Sequence, residues 1–123
     1  MAFPRILVAV PLLVAGIVVP AAATPATPPH DTVTMEHEMF AQDTVTIHRG
    51  QTLTLVNNSL FIHIIGPGKD GTLTAAPKGV PMTDRVLMQT NDTYTTRPWT
   101  IPGTYWLTCS VHPEMTIKVV VTS

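Results

Sequence analysis

Beyond position 31, apolar and polar residues alternate with a period of two, and no stretch carries the 3.6-residue period of an amphipathic helix. Thr32–Phe40 sets Met35, His37 and Met39 on one side and Thr34, Glu36 and Glu38 on the other, which predicts a strand. Thr44–His48 and Thr52–Val56 are alternating runs joined through Arg49-Gly50-Gln51, the pattern of a hairpin. Leu60–Ile65 is apolar except for His63, and Arg85–Thr90, Thr104–Cys109 and Thr116–Thr122 complete the predicted strands. Gly66–Thr83 holds four of the seven Gly and three Pro and reads as a long excursion. About seven to eight short strands separated by turn signals predict an all-β sandwich, with a small barrel as the structural alternative. β-Branched residues dominate the alternating runs, as a pleated, half-buried surface favours.

The N-terminus follows a different pattern. Of the 23 residues from Met1 to Ala23, 18 are apolar and one, Arg5, is charged. Arg5 supplies a basic start, Ile6–Val19 an apolar stretch, and Ala21-Ala22-Ala23 a small-residue cleavage site, which together predict a signal peptide over 1–23. The apolar stretch is short for a membrane span, which needs ~20 residues. An uncleaved N-terminal anchor is the alternative. Residues 24–31 (TPATPPHD) read as a Pro-rich linker, leaving 32–123 as one domain. The mature protein is expected outside the cytoplasmic membrane, in the periplasm or at the cell exterior, as a monomer with no stable membrane insertion after cleavage.

Composition removes several functions. With 7 Lys and Arg against 8 Asp and Glu, there is no basic excess for binding nucleic acid through its phosphates. Charged residues make up 12% of the chain, against a typical ~25%, too few for a charged disordered tail. One Cys cannot build an internal disulfide framework or a zinc site with two or four cysteines.

That Cys opens the most informative stretch, Cys109-Ser110-Val111-His112-Pro113-Glu114-Met115. A thiol, an imidazole and a thioether follow one another at spacings of three, just after the strand ending Tyr105-Trp106-Leu107-Thr108. His63 lies on another apolar strand that a sandwich can bring alongside. Sulfur donors with imidazoles favour copper, and two His, one Cys and a weak axial Met make a blue-copper electron-transfer centre. Zinc can take much the same donors. An exported protein meets oxidising conditions, where a free thiol is a liability and coordination would occupy it.

At these residues the chain resembles the cupredoxins, the small blue copper proteins. Pro102-Gly103-Thr104-Tyr105-Trp106-Leu107-Thr108-Cys109 is similar to their penultimate strand running into the ligand loop. Cys-x2-His-x2-Met, with Pro113 after the His, is similar to the short ligand loop of amicyanin, whereas plastocyanin and pseudoazurin put more residues between His and Met. The likeness spans about Met35 to Val121. It implies a Greek-key β-sandwich with one type 1 copper held by His63, Cys109, His112 and Met115. It also implies redox partner proteins, which would dock at the His112 end. The pattern departs from the family at Ile64, where an Asn usually ties the two ligand loops together. Val111 stands for a common Pro, and the usual Gly soon after Met115 is absent.

Weaker signals surround this set. Met35, His37 and Met39 read as a core stripe, with a second copper site as the alternative. Asn57-Asn58-Ser59 and Asn91-Asp92-Thr93 match the glycosylation pattern, which is frequent by chance. Trp99 and Trp106 are expected in the core, and His30 and His48 in solvent. Phe61, Pro67 and Met82 are candidates for an apolar patch around His112. The function these observations favour is a diffusible single-electron carrier. The alternative is copper delivery, buffering or resistance. An enzyme is disfavoured, because a Cys–His pair lacks a third orienting group.

Overall fold

The structure is a computed structural model that describes residues 2–4, 8–19 and 31–123. Arg5, Ala21–Ala23 and the linker as far as His30 lie outside the described residues. Among the described residues, no helix is long and apolar enough to cross a membrane.

Among the described residues, nine strands form two mixed sheets, one strand more than the upper expectation. In chain order they are β1 (Thr32–Met35), β2 (Thr44–His48), β3 (Thr54–Asn57), β4 (His63–Lys69), β5 (Thr72–Leu73), β6 (Val86–Met88), β7 (Thr93–Thr95), β8 (Gly103–Cys109) and β9 (Thr116–Thr122). The smaller sheet runs β1-β3-β7. The larger runs β2-β9-β8-β4-β5, with β6 also paired to β4. Alternation decides which side chains go inside: β9 buries Ile117, Val119 and Val121, and β2 buries Val45 and Ile47. Val33, Met35, Leu53 and Leu55, in or beside the smaller sheet, meet them in a core shared with Leu107 and Trp99.

Five expectations need correction. β2 and β3 do not form a hairpin: β2 pairs in parallel with β9, and β3 pairs with β1 and β7 in the other sheet. Their connection is pinned elsewhere, since the Gly50 N–H donates to the Trp99 carbonyl and the Trp99 N–H to the Gln51 carbonyl. The first strand ends at Met35 rather than Phe40. A tight turn, in which the Glu36 N–H donates to the Met39 carbonyl, folds Phe40 back to bridge Met35. Met35 is therefore in the core while His37 and Met39 are exposed, so no stripe exists. Gly66–Lys69 belongs to β4, and Asp70-Gly71, both at positive φ, turns the chain into β5 as Asp-Gly hairpins do. Trp106 is half-buried on the outer face of β8, with the Lys69 ammonium 3.9 Å above its ring.

At the pole where β9 ends, Thr96 holds Trp99, the largest fully buried side chain, in place. Its hydroxyl accepts from the Trp99 indole N–H and the Leu53 N–H, both at 3.0 Å, and donates to the Arg97 carbonyl. All three residues Leu53, Thr96 and Trp99 are buried. Thr96→Val should leave two buried donors unpaired and cost about 1–3 kcal/mol, read as a lower denaturant midpoint. Thr96→Ser, which keeps the hydroxyl, should lose less.

Candidate metal centre

Register brings the chemistry together at the opposite pole, the length of β9 away, about 20 Å. β4 and β8 are antiparallel neighbours with Ile65 opposite Cys109. Side chains two apart on a strand share a face, so His63, the first residue of β4, lies on the same side as Cys109, the last of β8. His63 Nδ1 is 3.7 Å from Cys109 Sγ, and His112 Nδ1 is 3.9 Å from the same sulfur. The three donor atoms lie within 4.8 Å of one another. The two imidazole centroids are 5.0 Å apart and their planes are tilted by 56°.

The loop between β8 and β9 is closed on itself. The Cys109 N–H donates to the Met115 carbonyl at 3.0 Å, the Met115 N–H to the His112 carbonyl at 2.9 Å, and Thr108 Oγ1 to the Met115 carbonyl at 2.7 Å. The Ser110 N–H donates to the Ile64 carbonyl, which ties the loop to β4. The β4–β5 turn backs it: the Gly71 N–H donates to Thr108 Oγ1, and a Cβ at Gly71 would stand 2.9 Å from Pro113. Gly71 leaves that space empty, and its φ of 82° suits glycine.

Burial grades the site from inside to outside. His63, Cys109 and Met115 are fully buried, while His112 is partly exposed beside the exposed Val111. Burial pushes the His63 imidazole below its ordinary range, and the neighbouring His112 adds to the effect. The neutral ring is the form that binds metal. Of the patch candidates, Phe61 is exposed, but Pro67 and Met82 are not. Pro67 sits inside β4 opposite Leu107, and Met82 folds into the core. Leu60 and Ile62 are exposed instead. His48 is exposed as expected.

Two features beside the site were not anticipated. His37 stacks on Phe61 with centroids 3.5 Å apart, and meets His112 edge-on at 5.6 Å. Asn57 and Ser59, which match a glycosylation pattern, are buried and hydrogen-bonded next to His63. The Asn57 amide is therefore no acceptor for a sugar. An apolar run that begins with two short polar residues is the only trace of this in the sequence.

The donor set fits copper. Two imidazole nitrogens, a thiol sulfur and a thioether sulfur match the soft ligands that copper takes, whereas thioethers are not among the usual ligands of zinc. No family model matches the chain, and neither does any curated protein. Solved structures do match. Amicyanin from Paracoccus versutus (Thiobacillus versutus) is 26% identical, with a TM-score of 0.57, covering 84% of each chain. A reduced tryptophan-to-tyrosine mutant of amicyanin is 25% identical, with a TM-score of 0.57, covering 73% of this chain and 79% of that one. The reduced Cu(I) form of a proline-to-glycine mutant of amicyanin is 24% identical, with a TM-score of 0.58, covering 82% and 86%. The fold is that of the cupredoxins, and His63, Cys109 and His112 bring three metal-donor atoms together at its pole, with Met115 buried at the end of their loop.

Proposed function

We propose that this protein is an exported carrier of single electrons that holds one type 1 copper with His63, Cys109, His112 and Met115. The observation that carries this reading is the Cys109 sulfur set between two imidazole Nδ1 atoms, in a loop closed by hydrogen bonds at both ends. Copper, when bound, supplies the one-electron couple between Cu(I) and Cu(II). The protein's part is to hold the donors still and to keep water away. A fully buried His63, Cys109 and Met115 serve both ends. Burial of the thiol also argues against a nucleophilic role for Cys109. The N-terminal pattern over 1–23 supports export, and the linker 24–31 would then begin the mature chain.

His112 is the reading's electron exit, because its ring alone among the two imidazoles reaches solvent. Val111, Phe61 and Ile62, each about half exposed, give that end an apolar surface that a partner can desolvate. Copper handling is the second reading. The His37 imidazole against His112 favours it, since it is a further borderline donor at the exposed end. A slow copper off-rate with fast electron self-exchange selects the carrier; the reverse selects copper handling.

Protein loaded with Cu(II) should be intensely coloured through charge transfer from the Cys109 thiolate, and Cys109→Ser should abolish the colour while the sandwich stays folded. A colourless wild-type protein at full occupancy refutes the reading.

Val111→Lys should slow self-exchange and partner reduction without changing the absorption spectrum, because transient redox contacts are small and tolerate a central charge poorly. Unchanged rates would move the exit elsewhere.

His63 also predicts a pH dependence for the metal-free protein. Its folded value lies below the unfolded one, so the unfolded chain takes up the proton first as pH falls. Stability should be retained above the ordinary imidazole value of ~6.5 and lost as pH drops through it. His63→Gln should flatten that slope in denaturant midpoints.

A further inference from the structure

Each proton around His63 can be assigned from the surrounding hydrogen bonds. Asn57 is fully buried, and its Nδ2 donates to the Phe61 carbonyl at 2.7 Å and to the Met88 carbonyl at 3.0 Å. That orientation leaves Oδ1 facing Ser59, where it accepts the Ser59 N–H at 3.0 Å. Ser59 Oγ lies 2.7 Å from the same Oδ1. The Phe61 carbonyl lies 3.2 Å from the same Oγ; neither it nor Asn57 Oδ1 has a proton to offer, so the hydroxyl proton belongs to Ser59 and points to these oxygens. Toward the two nitrogens beside it Ser59 Oγ can then only accept. One of its lone pairs takes the Phe61 N–H at 3.2 Å. The other faces His63 Nε2 at 3.0 Å. Nε2 must therefore carry the ring proton, and Nδ1, on the Cys109 side, is left with its lone pair free.

The geometry points to Ser59 as the positioning residue of this site, held by Asn57, fixing His63 as the Nε2–H tautomer with Nδ1 turned toward Cys109. The role follows from the chemistry of a buried imidazole. A neutral ring can place its proton on either nitrogen, and only the bond made by the other nitrogen decides which. Metal-bound His side chains are ordinarily oriented through that second nitrogen. Ile64 meets the ligand loop through its backbone carbonyl, which accepts the Ser110 N–H, and its side chain has no polar group to hold a ligand. The side-chain constraint on His63 thus comes from the turn ahead of it, Asn57–Phe61, instead of from the residue behind it. The same turn carries Phe61 at the exposed end, so Ser59 links the inner ligand to the docking surface.

For the identity of the ion this inference rests on the copper reading, but its first test needs no metal. In metal-free wild-type protein at about pH 8, where an ordinary imidazole is neutral, two-bond ¹⁵N–¹H correlation spectra should show His63 wholly as the Nε2–H tautomer. In Ser59→Ala both tautomers should appear. A wild-type ring protonated on Nδ1, or an unmixed Nε2–H ring in folded Ser59→Ala, overturns the inference whatever the ion. The wild-type spectrum alone decides the matter if the variant does not fold. A competition titration with Cu(I) should then show Ser59→Ala binding about 10- to 100-fold more weakly than wild type, the usual effect of removing such a partner. Equal affinities would overturn the positioning role. Failure of the wild type itself to bind Cu(I) would instead count against the copper reading.

Discussion

The backbone hydrogen bond from the Cys109 N–H to the Met115 carbonyl is the constraint on which the site depends. It joins the last residue of β8 to the residue before β9, so the ladder between those strands continues across the mouth of the ligand loop. Three donors spaced by three residues would otherwise sample many arrangements. With the loop closed, and Thr108 Oγ1 donating to the same carbonyl, they have few. Ordering a residue's backbone costs roughly 1–2 kcal/mol. A loop ordered during folding spares metal binding that cost.

Burial makes the closure matter. Three of the four donors are inaccessible to water, and any polar atom left unpaired there would cost about 1–3 kcal/mol. Among the described residues no buried side-chain nitrogen or oxygen lacks a partner. Thr108 and Ser59 reach that state in the same way, each hydroxyl donating once and accepting from backbone or ring N–H groups. One fixes the loop and the other fixes the ring. His112 stands apart from this network, which leaves it as the ligand that meets solvent.

The ligands were legible because their signal is local. Cys109, His112 and Met115 lie within seven residues, and donor type narrows the metal without knowledge of the fold. His63 needed the sandwich, since only the β4–β8 register brings it to the sulfur. The supposed β2–β3 hairpin failed for the complementary reason. Alternation reports which face is buried and is silent about which strand is the neighbour. Asp70-Gly71 has the composition of a hairpin turn, but the surrounding Gly and Pro hid both it and the strand leading into it. Thr93–Thr95 is too short and polar to stand out. Ser59 was illegible because a serine gains its role from the oxygen of Asn57 and the nitrogen of His63, and neither orientation is written in sequence.

A preformed, closed loop and a locked ring together require that the coordination change little when the electron arrives. X-ray absorption fine structure at the copper edge tests this most directly, on the same sample in both oxidation states. One short sulfur scatterer and two nitrogen scatterers, nearly unchanged on reduction, is the predicted result. A shell of nitrogen and oxygen alone, or the loss of a ligand on reduction, would contradict the account.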